Sequence, residues 1–315
     1  MPAYYVIVAG LRVVVRASAD GHVTGSVALP GPSGTPRVLV SAQPFGSPDD
    51  RHFVIVVSRG GGLPGVADDT VFRLAVSPGG RPGRPDRLGY DSRGMPVTGA
   101  ALSPDGRMLA LSLRHGFPPG PPGGTVEILD LATGTTGTLA GQAAPGYWPG
   151  PPTWAGRDTV VVPWWHSTSA NTIPATLTGL RELPVATPGA KPPAARLVTF
   201  PEAVPGLESA IVAPGGGSLV VSSCRAGPRP DSATARILEL SAADGRPIRV
   251  LRPQAARFRD GADVQDAISS QCRVLSVADG DRALVQAFAF GRDGAGRFTP
   301  LPGASPGVRP VSAAW

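Results

Sequence analysis

A unit of roughly fifty residues recurs along this chain, and a repeat of that length constrains the fold before any local feature does. Each unit reads as an apolar strand, a tight turn, a second apolar strand, a variable loop and a two-stranded hairpin. In the clearest copy, residues 99–113 hold two strands joined by Pro104-Asp105-Gly106, and residues 125–139 hold a hairpin turning at Thr133-Gly134. Proline presets φ in such a turn and glycine takes the positive-φ position. Further copies align on the first turn at residues 47–50, 154–158, 213–217 and 277–280. The turn positions 48, 104, 155, 214 and 278 recur at roughly fifty to sixty-five residues, with the excess length in loops.

Short strands at even spacing, each inner hairpin followed by an outer one, describe four-stranded blades arranged radially. Composition supports this. With 42 glycines and 37 prolines in 315 residues the chain is poorly suited to long helices. A hydrophobic content of 42% and a mean hydropathy of +0.05 set it apart from disordered chains. No apolar stretch approaches the ~18 residues of a membrane-spanning helix. First strands near residues 38, 97, 150, 208, 268 and 309 predict an all-β, six-bladed β-propeller forming a single domain over residues 1–315. The poorly patterned stretch between Trp165 and Lys191 leaves room for a seventh blade.

The two ends fit one another. Residues 311–315 read as a first strand with no second, and the stretch from Tyr4 to Ala9 reads as a second strand with no first. Residues 11–16 and 22–29 then supply an outer hairpin through Ala19-Asp20-Gly21. Pairing the N- and C-terminal strands would complete one blade and cover two exposed edges.

Leu102-Ser103-Pro104-Asp105-Gly106-Arg107, with Leu109-Ala110 and the Ile128-Leu129-Asp130 strand, resembles the WD-repeat-like and TolB-like β-propeller families. The repeat pattern covers most of the chain, and the copy around Pro104 matches best. The tryptophan–aspartate dipeptide of true WD repeats is absent, so that family's partners are not carried over. The pattern also resembles actinobacterial propeller-domain proteins of unknown function, a group often joined to a membrane helix. An arginine-for-lysine bias, with Lys191 the only lysine, fits a high-GC genome. This resemblance implies the monomeric propeller part of a membrane-associated protein, its membrane attachment residing in a segment absent from this chain. Met1-Pro2-Ala3 shows no basic leader or cleavage site, which taken literally means a cytoplasmic protein. The extracytoplasmic, membrane-associated location implied by the resemblance is favoured over it.

The net charge is +6 and the isoelectric point about 10.1, but the arginines are spread along the chain. Without a basic block there is no nucleic-acid footprint, and no nucleic-acid partner is expected. The residues that end each second strand should share one face of a propeller. Arg59, Arg114, His115, Trp164, Trp165, His166 and Arg225 are therefore the candidate ligand-binding residues, with Arg292 as a weaker addition. Together they would form a basic, aromatic-lined mouth for a small anionic ligand, through bidentate pairing and stacking, or for a protein partner. The competing reading is that arginine often ends strands in an arginine-rich chain and that Trp165 packs between blades.

Cys224 and Cys272 would lie on the same face of neighbouring blades, and a disulfide between them is expected, with an oxidising compartment as its consequence. No metal and no cofactor are expected. The two cysteines have no nearby histidine, and the three-residue step of Asp260, Asp263 and Asp266 does not match a calcium loop. No Gly-x-Ser-x-Gly elbow, His-Glu-x-x-His motif or phosphate loop occurs, and His22, His52, His115 and His166 fall in different repeats. The expected function is a non-enzymatic ligand- or protein-binding or sensing module. The alternative is a propeller-type hydrolase or lactonase working in the central channel.

Overall fold

A computed structural model describes residues 3–30, 40–47, 49, 51–59, 68–115, 123–140, 146–167, 176–185, 194–205, 207, 209–213, 215–226, 232–257, 274–279, 282–285, 290–292, 298–300 and 312–314. They form antiparallel sheets that follow one another round a ring. The first sheet holds β1 (Tyr4–Ala9), β2 (Arg12–Ala17) and β3 (Val23–Ala28), completed by β25 (Ser312–Ala314). The second holds β4 (Val40–Gly46), β5 (His52–Arg59), β6 (Asp68–Ala75) and β7 (Asp86–Arg87). The third holds β8 (Val97–Leu102), β9 (Met108–His115), β10 (Gly123–Asp130) and β11 (Thr136–Ala140).

The fourth sheet holds β12 (Tyr147–Pro149), β13 (Thr153–Trp154), β14 (Thr159–His166), β15 (Thr176–Pro184) and β16 (Arg196–Pro205). The fifth runs from β17 (Ser209–Val212) through β18 (Ser218–Ala226) and β19 (Ser232–Ser241) to β20 (Pro247–Arg257). The sixth runs from β21 (Val274–Asp279) through β22 (Arg282–Val285) and β23 (Phe290–Arg292) to β24 (Phe298–Pro300). Inner strands touch in the order β25, β4, β8, β13, with β14 meeting β17, then β21 and back to β25.

The strand sequences explain these positions. β9 reads Met-Leu-Ala-Leu-Ser-Leu-Arg-His, and residues 109–113 are buried on both faces because a sheet lies on either side. β3, at the rim, is half exposed. The turn between β8 and β9 is fixed by its side chains. Ser103 Oγ donates to Asp105 Oδ1 at 2.6 Å, the Met108 N–H donates to Ser103 Oγ at 2.9 Å, and Gly106 takes φ +70°. Apolar clusters fill the spaces between sheets. One joins Val6, Val8 and Val13 to Phe53, Ile55 and Leu74, and another joins Val54, Val56 and Val71 to Leu102, Leu109 and Leu111.

The expectation of six four-stranded blades, or seven, is corrected here. Five sheets are four-stranded blades, and the sheet built from residues 147–205 has five strands. Its inner position is split. Tyr147, Trp148 and Pro149 pair with His166, Trp165 and Trp164, whereas Thr153 and Trp154 pair with Val161 and Val160. Gly150, Pro151 and Pro152 stand between, and proline has no N–H to give to a ladder. No seventh sheet occurs among the described residues. Trp165 and His166 finish β14, and β15 is the third-position strand of that same sheet.

The fourth sheet is also stitched to both neighbours at the level of the inner strands. Trp154 Nε1 donates to the Ala101 carbonyl at 2.9 Å, Ser112 Oγ to the Gly150 carbonyl at 2.7 Å, and Thr153 Oγ1 to the Val212 carbonyl at 3.0 Å. Elsewhere the two ends of the chain meet, with β25 antiparallel to β1 in the register Val6↔Ala314, Ile7↔Ala313 and Val8↔Ser312. Ala314 is fully buried there, packed with Val6, Val8 and Val13.

Candidate functional site

Second-position strands all run in one sense round the ring, so their last residues share one end of it. Arg59 ends β5, Arg114 and His115 end β9, Trp164, Trp165 and His166 end β14, and Cys224 and Arg225 lie at the end of β18. Arg292 does not belong to this series, because it ends β23, a third-position strand. The side chains of Arg59, Cys224 and Arg225 lie outside the described set.

The best-defined part of this end spans the third and fourth sheets. Arg114 projects from β9 and its guanidinium carbon lies 5.2 Å from the centre of the Trp148 ring. Its backbone N–H donates to the Pro96 carbonyl at 3.0 Å, which fixes the strand end. Trp148 faces Trp165 across the β12–β14 ladder, and both rings belong to the apolar cluster shared with Val212, Leu219 and Val221 of the fifth sheet. One pair along the same ladder and on its other face, the Tyr147 and His166 rings stack with centroids 4.3 Å apart and planes tilted by 34°. His115 folds over Gly123, where a Cβ would lie only 2.6 Å from the imidazole Cε1. Burial lowers the His115 pKa, so this imidazole is neutral at physiological pH.

The two consecutive tryptophans take different roles. Successive side chains of a strand point to opposite faces. Trp165 packs between the fourth and fifth sheets, and Trp164 packs towards the third sheet with Ala110, Val126 and Ala140. Arg181 of β15 lies over the Trp164 ring, its guanidinium carbon 4.0 Å from the ring centre. The structure thus sets Arg114 against Trp148, which packs with Trp165, and His166 against Tyr147 on the other face of the sheet, through two residues the sequence reading passed over. Their signal was weak, because Tyr147-Trp148 sits among glycines and prolines that read as loop.

A second buried polar group lies between the second and third sheets. Glu127 of β10 is 3% exposed, and its carboxylate accepts from Tyr90 Oη at 2.9 Å and from Arg93 Nη2. Burial, followed by the Glu127 charge, drives the Tyr90 phenol far above its ordinary pKa, so it remains a donor. Asp69, also buried, accepts the Val97 N–H at 2.6 Å and so ties β6 to β8. These groups fasten the connection between two sheets.

Histidine–carboxylate pairs occur on turns at the opposite end of the ring. His22 Nδ1 lies 2.6 Å from Asp20 Oδ1, and His52 Nδ1 pairs with Asp49. Hydrogen bonds from the His22 backbone and ring hold Asp20 below the usual carboxylate range. Both are contacts within a single turn. Among the described residues no group of three or more His, Cys, Asp or Glu side chains converges as a metal site. The expected Cys224–Cys272 disulfide is not supported: no disulfide occurs among the described residues, and Cys272 lies outside them, as do Asp260, Asp263 and Asp266. No described helix is long and apolar enough to cross a membrane.

No protein-family profile and no curated protein sequence matches the chain. Solved structures do match. The tricorn protease aligns at a TM-score of 0.48 and 10% identity over 92% of this chain, which spans only 28% of that one. The periplasmic gluconolactonase of Pseudomonas aeruginosa aligns at a TM-score of 0.46 and 14% identity, covering 94% of each chain. A putative TolB from Agrobacterium tumefaciens aligns at a TM-score of 0.34 and 13% identity, over 79% of this chain and 89% of that one. The likeness is one of fold: the chain is an all-β propeller, with TolB-like and other propeller proteins among its structural neighbours.

Proposed function

We propose that this propeller is a non-enzymatic binding or sensing module that takes a small anionic ligand at the end of the ring where the second-position strands finish. The observation that carries the reading is Arg114 over the Trp148 ring, with the Tyr147–His166 stack one pair along the same ladder. A guanidinium laid on an aromatic face presents a planar set of donors in a fixed orientation, the geometry that pairs with a carboxylate or phosphate. Arg59 ends β5 and Arg225 stands one residue before the end of β18, two strands that finish at the same end of the ring. His115, neutral and part-buried, supplies a hydrogen-bonding group without a second charge. The module belongs to a membrane-associated, extracytoplasmic protein, an assignment resting on the resemblance drawn from the sequence.

The test is titration of the purified chain with a small carboxylated fluorescent dye, followed by anisotropy. Uptake is expected in the parent protein and its loss in the Arg59→Gln/Arg114→Gln pair. Unchanged uptake in that pair overturns the reading. Hydrolysis of a lactone or sugar ester by the purified chain would replace binding with the hydrolase alternative.

A further inference from the structure

Trp164 is 2% exposed, and its indole Nε1 has no hydrogen-bond acceptor among the described residues. Such orphaned buried donors are rare in folded proteins and call for a physical reason. The group next to it has the same shortage. Arg181 lies on the face of the Trp164 ring with its guanidinium carbon 4.0 Å from the ring centre, and no described side chain forms a salt bridge or hydrogen bond with it. The nearest acid along the strand, Glu182, projects from the other face of β15 and is paired with Arg196, Nη1 to Oε2 3.3 Å.

The ladder explains how the pair arises. Trp164 lies opposite Gly179, so no side chain of β15 competes with its ring, and Arg181 lies opposite Val162, two residues along on the same face. A guanidinium stays charged even when part-buried, and here that charge sits beside a second, neutral donor. The stacking distance sets the donors of the two groups within about 6 Å of one another, a span that two hydrogen bonds of ~2.9 Å to a single oxyanion bridge. Arg181 is only part-buried, so the seam opens to solvent on the guanidinium side.

We propose that the seam between the third and fourth sheets is an oxyanion site, in which Arg181 and the Trp164 indole N–H hold one carboxylate or phosphate group. It goes beyond the Arg114–Trp148 contact, since Trp148 packs with Trp165 whereas Trp164 faces the other side of β14.

Indole N–H resonances of the 15N-labelled full chain provide the test. The Trp164 signal is identified by its loss in Trp164→Phe, which keeps an aromatic ring. Titration with inorganic phosphate and, separately, with acetate is expected to move that signal downfield and saturably at millimolar concentration, while chloride at matched ionic strength leaves it in place. The anion that acts at the lower concentration identifies the source as phosphate or carboxylate. The response should disappear in Arg181→Gln with the other indole signals unchanged, and persist in Arg114→Gln, so this site and the Arg114 mouth fail separately. A Trp164 signal that ignores both anions, or that still responds fully in Arg181→Gln, overturns the proposal.

Discussion

The guanidinium carbon of Arg114 stands 5.2 Å from the centre of the Trp148 ring, and this contact links the third sheet to the fourth. Arg114→Met keeps the aliphatic stem and removes the charge. The expected loss is about 0.5–1 kcal/mol of stability, the range of a cation resting on an aromatic face. Urea denaturation of the two proteins measures it. An unchanged midpoint would mean that the contact contributes nothing to joining the sheets.

Removal of residues 310–315 deletes β25, uncovers the edge of β1 and takes the fully buried Ala314 from beside Val6 and Val8. A frayed tail of that length would cost nothing measurable. Here the melting temperature should fall by about 5 °C or more, and the exposed edge should promote association. Calorimetry and light scattering report the two effects.

Tyr90→Phe removes the hydroxyl that donates to the buried Glu127 carboxylate and leaves the ring in place. A hydrogen bond to a charged buried group is worth roughly 1.5–3 kcal/mol, and a loss in that range is expected from chemical denaturation. Combining it with Glu127→Gln should cost less than the sum of the two single changes, because both act on one network. Additive losses would show that Tyr90 and Glu127 are not coupled.

Burial depresses the His115 pKa, so in the folded chain the imidazole takes up a proton at a lower pH than in the unfolded chain. Unfolded chains therefore bind more protons as pH falls through the ordinary value of about 6.5, and stability drops with it. Above that value the group makes no pH-dependent contribution. His115→Gln should flatten the decline between pH 7 and the depressed folded value, as read from denaturation midpoints across the series. An identical slope in the two proteins would place the acid sensitivity elsewhere.

Local turn chemistry and strand alternation made much of this architecture legible. Pro104-Asp105-Gly106 sits where it was expected, between β8 and β9, and the pairing of the two ends follows from one strand too few at Tyr4 and one too many near Trp315. The split of the inner strand at Gly150-Pro151-Pro152 was not foreseen, because a proline-rich segment reads as loop until its flanks are seen pairing with β14. Grouping Trp164 with Trp165 overlooked a period of two that the strand itself carries. Partners such as Tyr90 and Glu127, 37 residues apart, meet only through the packing of one sheet on another, which no local pattern records.

The seam between β1 and β25 also has a mechanical meaning. Val6 faces Ala314 and Val8 faces Ser312, so the outward-leading ends of both strands lie at the same end of a ladder only three residue pairs long. Tension applied there loads the pairs one after another, as in an opening zip, instead of shearing them together. Pulled from its two ends, the ring should therefore part first at this seam and at low force, with the neighbouring sheets still folded. An optical-trap trace whose first step releases a whole sheet would contradict that order.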